Sequence, residues 1–124
     1  MPKLKPIAAA AVLALLAAPN ASAHHSFAMF DASREVWLEG TVSQFQWSNP
    51  HAFIQLNVAG GSGAQMWSLE GGSPNILSRN GWRRTSLQPG EKVRILIYPM
   101  RDGRTGGTFL EVHKDDGSVL YYHG

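Results

Sequence analysis

The chain has 124 residues, 44% of them hydrophobic and 16% charged, with no cysteine. That length suits one small domain, and the missing thiols exclude a disulfide scaffold, a thiolate metal site and cysteine catalysis. From residue 24 onward nine Lys+Arg face nine Asp+Glu, and a neutral chain without a dense basic stripe is a poor phosphate-backbone binder, so no nucleic-acid partner is expected.

The first 23 residues read as a targeting segment. Met1 to Pro6 carries Lys3 and Lys5, Ile7 to Ala18 is an unbroken apolar run, and Ala21-Ser22-Ala23 supplies small residues. A basic start, a short apolar centre and an A-x-A end define a secretory signal peptide. The apolar run is shorter than the roughly 20 residues needed to span a bilayer. Cleavage after Ala23 is therefore expected to release residues 24–124, beginning at His24, into the periplasm or the exterior, with no membrane span left.

The chain beyond His24 reads as strands broken by turns. Between Glu35 and Val42, the apolar Val36, Leu38 and Val42 alternate with polar neighbours and Trp37, and Gly40 takes the remaining inward slot; period two marks a half-buried strand. The apolar phase then shifts to Phe45 and Trp47, which predicts a β-bulge near Ser43 or Gln44. Ser48-Asn49-Pro50 breaks the strand. A second strand carries Ile54, Leu56 and Val58, Ala59 to Ala64 form a hairpin loop, and Gln65 to Glu70 is a third strand with Trp67 and Leu69 on one face and Met66 on the other.

One helix comes next. Ser73 suits the N-cap, Pro74 the first helical position, and Asn80-Gly81 the stop. So short a helix must depend on packing, here of Ile76 and Leu77 against the sheet, with Trp82 closing over its end. Arg79, Arg83 and Arg84 cluster there; cations at a helix C-terminus offset its dipole, which suffices to explain them, and an anion site is the weaker alternative. Pro89-Gly90 is a tight turn. Lys92 to Tyr98 is a fourth strand with Val93, Ile95 and Ile97 inward. Arg101 to Gly107 is a Gly-rich turn, Thr108 to Lys114 a fifth strand, and Val119 to Tyr122 an edge strand after the Asp116-Gly117 hairpin signal. Three strands, a short helix, then two or three strands is the order of a mainly β, OB-like barrel with the helix between strands three and four.

The blocks HHSFAMFD, EGTVSQFQWSNPH, WSLEGGSPNILSRNGW, LQPGEKVRILIYPMRDG and the closing DGS occur in an order that resembles domain-of-unknown-function family 6152, a group of short exported bacterial proteins. The likeness covers His24 to Ser118. It implies a small exported β-barrel of uncharacterised activity and brings no catalytic residues with it.

The residues suited to chemistry are histidines. Cleavage after Ala23 would give His24 a free α-amine, which titrates near pH 8 against about 10.4 for a lysine. Amine and ring Nδ1 can chelate a metal together, and a third nitrogen from another histidine completes a T-shaped site. Imidazole and amine nitrogens suit Cu(II), which also tops the affinity order of divalent first-row ions. His25 offers a competing chelate through the intervening amide. His51 is the expected third ligand, since the Asn49-Pro50-His51 turn opens the first barrel loop, where OB folds commonly bind ligands. Met29, Met66 and Met100 would add soft thioethers for Cu(I) if they cluster.

The competing readings are plainer. Two histidines at a chain end are often only solvated, and His51 can simply cap a turn. His113 reads as an exposed strand residue and His123 as a terminal one. Trp37, Trp47, Trp67 and Trp82 are numerous for this size. Core and rim packing accounts for most of them, while exposed Trp would stack on sugars or apolar ligands. No orienting group accompanies Ser26 beside His25, and the glycines at 60, 61 and 63 lead into no helix, so no enzyme is expected. The expectation is an exported binding protein that takes copper through His24, His25 and His51 for sequestration or delivery. The alternative is a metal-free interaction module that meets a peptide, a glycan or an envelope protein through its aromatic-bearing strands.

Overall fold

The computed structural model describes Pro2 and residues 28–123. Six strands and one helix succeed each other: β1 (Val36–Gln46), β2 (Phe53–Gly60), β3 (Gly63–Glu70), α1 (Pro74–Arg79), β4 (Lys92–Pro99), β5 (Gly106–Lys114) and β6 (Val119–Tyr121). The sheet order is β3-β2-β1-β4-β5-β6, and a parallel β3–β5 pairing from Ser68↔Gly106 to Glu70↔Thr108 closes the first five strands into a mixed barrel. β6 is an added edge strand on β5. This is the OB-like arrangement with the helix between strands three and four.

The bulge falls where the phase shift places it. β1 pairs with β2 through Val42↔Leu56 and resumes at Gln44↔Gln55, so Ser43 is the extra residue. Before it, Leu38 and Val42 are inward and buried; after it, Phe45 packs against the core. A bulge raises local twist and bends the strand, which lets one strand serve both walls of a small barrel. β1 indeed pairs with β2 over its second half and with β4 over its first.

The interior is filled from every wall. Ile54, Leu56, Leu69, Ile95, Ile97, Phe109 and Val112 have no accessible surface, and neither does Leu77 from the helix. Full burial of such a side chain is worth about 1.5–3 kcal/mol. Trp82 plugs the end, 5.9 Å from the Phe45 ring and 5.1 Å from Phe109. Its Nε1 donates to the Tyr121 carbonyl at 2.8 Å, so the one polar atom of that ring is satisfied.

Ser73 caps α1 by accepting the Ile76 amide at 3.3 Å, and Pro74 opens it as expected. Three details differ from the expectations set by the sequence. Ile76 does not pack on the sheet but is 43% exposed, because a six-residue helix turns only one narrow stripe inward and Leu77 occupies it. The β2–β3 hairpin is tight, with pairing continuing to Gly60↔Gly63, so Ala59 and Ala64 belong to strands and not to a loop. β5 begins at Gly106, two residues earlier than the pattern suggests, since the parallel bridge to β3 recruits the end of the Gly-rich turn. Among the described residues, no helix is long and apolar enough to cross a membrane.

Candidate functional site

His51 lies between β1 and β2, in a loop tied to the segment after β3. Ala52 donates its amide to the Gly72 carbonyl and Gly71 donates to the Ala52 carbonyl, both at 2.9 Å. The turn that leads there contains a cis Asn49–Pro50 bond, and the Ser48 hydroxyl donates to the His51 carbonyl at 2.9 Å. His51 Nδ1 stands 3.0 Å from the Gly71 carbonyl oxygen and 3.5 Å from Glu70 Oε1. A carbonyl only accepts, so Nδ1 carries the proton and donates, which leaves Nε2 of the neutral ring as a lone-pair donor. Fixing one ring nitrogen on a carbonyl or carboxylate is how metal-ligating histidines are commonly oriented.

Glu70 connects His51 to a cavity. This cavity, about 640 Å³, is walled by Met29, Phe30, Phe53, Glu70, Met100 and Arg104, together with the backbone of residues 103 and 105–107. It opens beside the parallel β3–β5 pairing that closes the barrel. The chain enters the described structure here. Phe30 is buried and bridges to Met100, Asp31 donates its amide to the Pro99 carbonyl at 2.8 Å, and the Arg101 amide donates to the Met29 carbonyl at 2.9 Å. Arg101 Nε also donates to the Ala28 carbonyl at 3.1 Å. The amino-terminal stretch is thereby pinned at the cavity rim.

Two of the three methionines singled out from the sequence line this cavity, Met29 and Met100, whereas Met66 does not and is exposed on β3. His24 and His25 lie outside the described residues. Among the described residues, no three His, Asp or Glu side chains gather into a metal-binding group.

A second group lies on the outer face of β1, β4 and β5. Trp37 is 42% exposed, as its phase in β1 requires. The Arg94 guanidinium sits 4.7 Å from the centre of the Trp37 ring and pairs with Glu39 at 3.3 Å. The His113 ring meets Trp37 edge-on at 5.1 Å, and His113 Nε2 reaches Glu111 Oε2 at 2.8 Å. His113 is thus half-buried in a polar and aromatic cluster, which cross-strand pairing assembles and spacing along the chain does not reveal. His123 stacks on Tyr121 at 6.0 Å. Trp47 and Trp67 are half-buried, and Trp67 Nε1 is the buried side-chain polar atom left without a partner among the described residues.

One titratable group is displaced near His51 and Glu70. Burial pushes the Tyr122 hydroxyl above its ordinary 10.0, and the Glu70 carboxylate adds to the shift. Tyr122 therefore stays protonated through the neutral range.

The fold and these features define a small OB-like barrel with a cavity at its closing seam, lined by Met29, Met100 and Glu70, the last of which reaches His51. The chain belongs to the family of unknown function DUF6152, whose model matches residues 11–111. No curated protein and no solved structure matches the chain.

Proposed function

We propose that the protein is an exported binding protein that takes copper through the amino terminus released by cleavage after Ala23, for sequestration or delivery. The observation that carries this reading is the entry of the chain at Ala28 on the rim of a cavity walled by Met29, Met100 and Glu70. His24 lies four residues before Ala28, and an extended chain covers at most about 3.6 Å per residue. Four residues of extended chain reach at most about 14 Å, so a chain that starts at residue 24 is long enough to return to that cavity. His51, held through Nδ1 by Gly71, offers Nε2 as the third nitrogen. Nitrogen donors suit Cu(II) and thioethers suit Cu(I), so the two donor types would hold the ion in either oxidation state.

Copper titration of the processed chain tests the proposal, against the same chain with one extra residue before His24. Blocking the α-amine is expected to weaken binding at least tenfold, and His51→Phe to weaken it further in the processed chain. Equally weak binding by both forms overturns the metal reading. Mass spectrometry of the exported material is expected to give a chain starting at His24.

The exposed Trp37 and its Arg94 and His113 neighbours favour a second reading, a metal-free module that meets a peptide, a glycan or an envelope protein through this face. Under that reading Trp37→Ala abolishes partner capture while copper binding is absent or unchanged.

A further inference from the structure

Among the described residues, the guanidiniums of the arginines around the end of α1 make no hydrogen bond or ion pair, so beyond offsetting the helix dipole they are unengaged. Of the other guanidiniums, Arg94 engages Trp37 and Glu39, Arg101 engages Ala28, and Arg104 engages Asp102 at 2.7 Å, while Arg34, far along the chain from this cluster, makes no ion pair among the described residues. Among the described residues, no ion pair involves Arg79, Arg83 or Arg84, and all three are exposed. The helix end does not require them as caps. Its last carbonyls already accept the amides of Asn80, Gly81 and Trp82, and Asn80 Nδ2 donates to the Ile76 carbonyl at 2.9 Å.

Arg83 and Arg84 instead flank a cleft of about 450 Å³, together with Trp47, Ser78, Gly81 and Trp82. The Trp82 ring is locked by its bond to Tyr121 and only 1% exposed. Trp47 stands edge-on to Phe45 at 5.7 Å, and Phe45 in turn packs against Trp82. The cleft thus joins aromatic walls to the two consecutive arginines 83 and 84, with a third charge on Arg79 in the last helical turn. Guanidinium presents a planar fork of donors that matches phosphate oxygens, and several cations without a counter-ion suit a dianion better than a monoanion. A phosphomonoester is largely dianionic above its second pKa of about 6. The volume lies within the range of small-molecule sites.

We infer that this cleft binds a phosphomonoester carried on a ring-sized group, with Arg83 and Arg84 on the phosphate and Trp47 against the ring. The site is separate from the cavity at the barrel seam and stands or falls independently of copper.

Calorimetry at pH 7.5 with glucose 6-phosphate, glucose and inorganic phosphate, alongside phosphatidylglycerol vesicles, provides the test. Saturable binding of glucose 6-phosphate is expected, tighter than that of inorganic phosphate, with a change in tryptophan emission and no binding of glucose. Joint substitution Arg83→Gln and Arg84→Gln should weaken it at least tenfold without shifting the melting temperature. Arg34→Gln, an exposed arginine outside the cleft, should leave it unchanged. Absence of glucose 6-phosphate binding, binding indifferent to the double substitution, or binding of the vesicles alone overturns the inference.

Discussion

At the scale of single residues, the strongest constraints are steric and sit beside His51. A Cβ on Gly71 would collide with the Phe109 ring, which is fully buried and packs at tilted angles against Trp82 and Tyr122. Gly71→Ala must therefore move either the ring or the backbone, and overpacking of this kind costs about 3 kcal/mol. The same shift would displace the carbonyl that orients His51. Urea unfolding is expected to show the loss, and copper titration a weakened affinity. Leu77 and Ile76 form a second contrast. Leu77→Ala removes a fully buried side chain and should cost about 2–5 kcal/mol, whereas Ile76→Ala, at a 43% exposed position, should change stability by less than about 1 kcal/mol. Denaturation midpoints of the two variants check this directly.

At the scale of elements, β4 and β5 are fastened where they meet the turn before β4. Glu91 accepts the Gln88 amide at 2.7 Å and pairs with Lys114 at 3.0 Å, and Lys114 Nζ also donates to the Ser86 carbonyl at 2.9 Å. Burial alone would raise the Glu91 carboxyl, but the Gln88 amide and the Lys114 ammonium outweigh it and hold the group below its ordinary 4.5. A carboxylate whose pKa is lower folded than unfolded stabilises the fold above the unfolded value, and that contribution is lost as pH falls through the folded one. Stability should therefore fall below about pH 4.5 in the native chain, and Glu91→Gln should flatten that part of the acid limb. At pH 7 the substitution is expected to cost about 1 kcal/mol, since the pair is only partly shielded from water. Urea titrations at pH 7 and pH 3.5 separate the two effects.

At the scale of the whole molecule, the amino-terminal stretch and the barrel are joined at one seam. Arg101 holds Ala28 through its side chain and Met29 through its amide, next to the Met100 bridge to Phe30. Arg101→Ala removes an exposed contact and leaves the core untouched, so the unfolding free energy should stay within about 0.5 kcal/mol of native. Copper affinity of the processed chain should nonetheless drop, because Ala28, the described residue nearest His24, loses its side-chain tether while the backbone bonds from Met29 onward remain. A variant that keeps full affinity would place the metal away from this seam.

Much of the architecture could be read along the chain, because it depends on neighbours in sequence. Alternation gave the strands, the phase change at Ser43 gave the bulge, and the Ser73-Pro74 start with the Asn80-Gly81 stop gave the helix, Gly81 adopting φ of 88° as that stop requires. These signals arise from local sterics and period, which a linear sequence records. The candidate site was legible only in part. His51 and the methionines were visible as residue types suited to metal, but nothing local says that Gly71 and Glu70 meet the His51 ring, or that Met29 and Met100 share a cavity while Met66 does not. The Arg83 and Arg84 cluster was legible, but that it shares a cleft with Trp47, and that His113 meets Trp37, was not, for the same reason.

The chain by itself determined which segments become strands, where one bends and where the helix starts and ends. Only the tertiary structure decided which loops share an end of the barrel, since that depends on the parallel β3–β5 closure between segments about 40 residues apart. Contacts made across such a closure depend on register and twist summed over five strands, and no window of the sequence contains that sum.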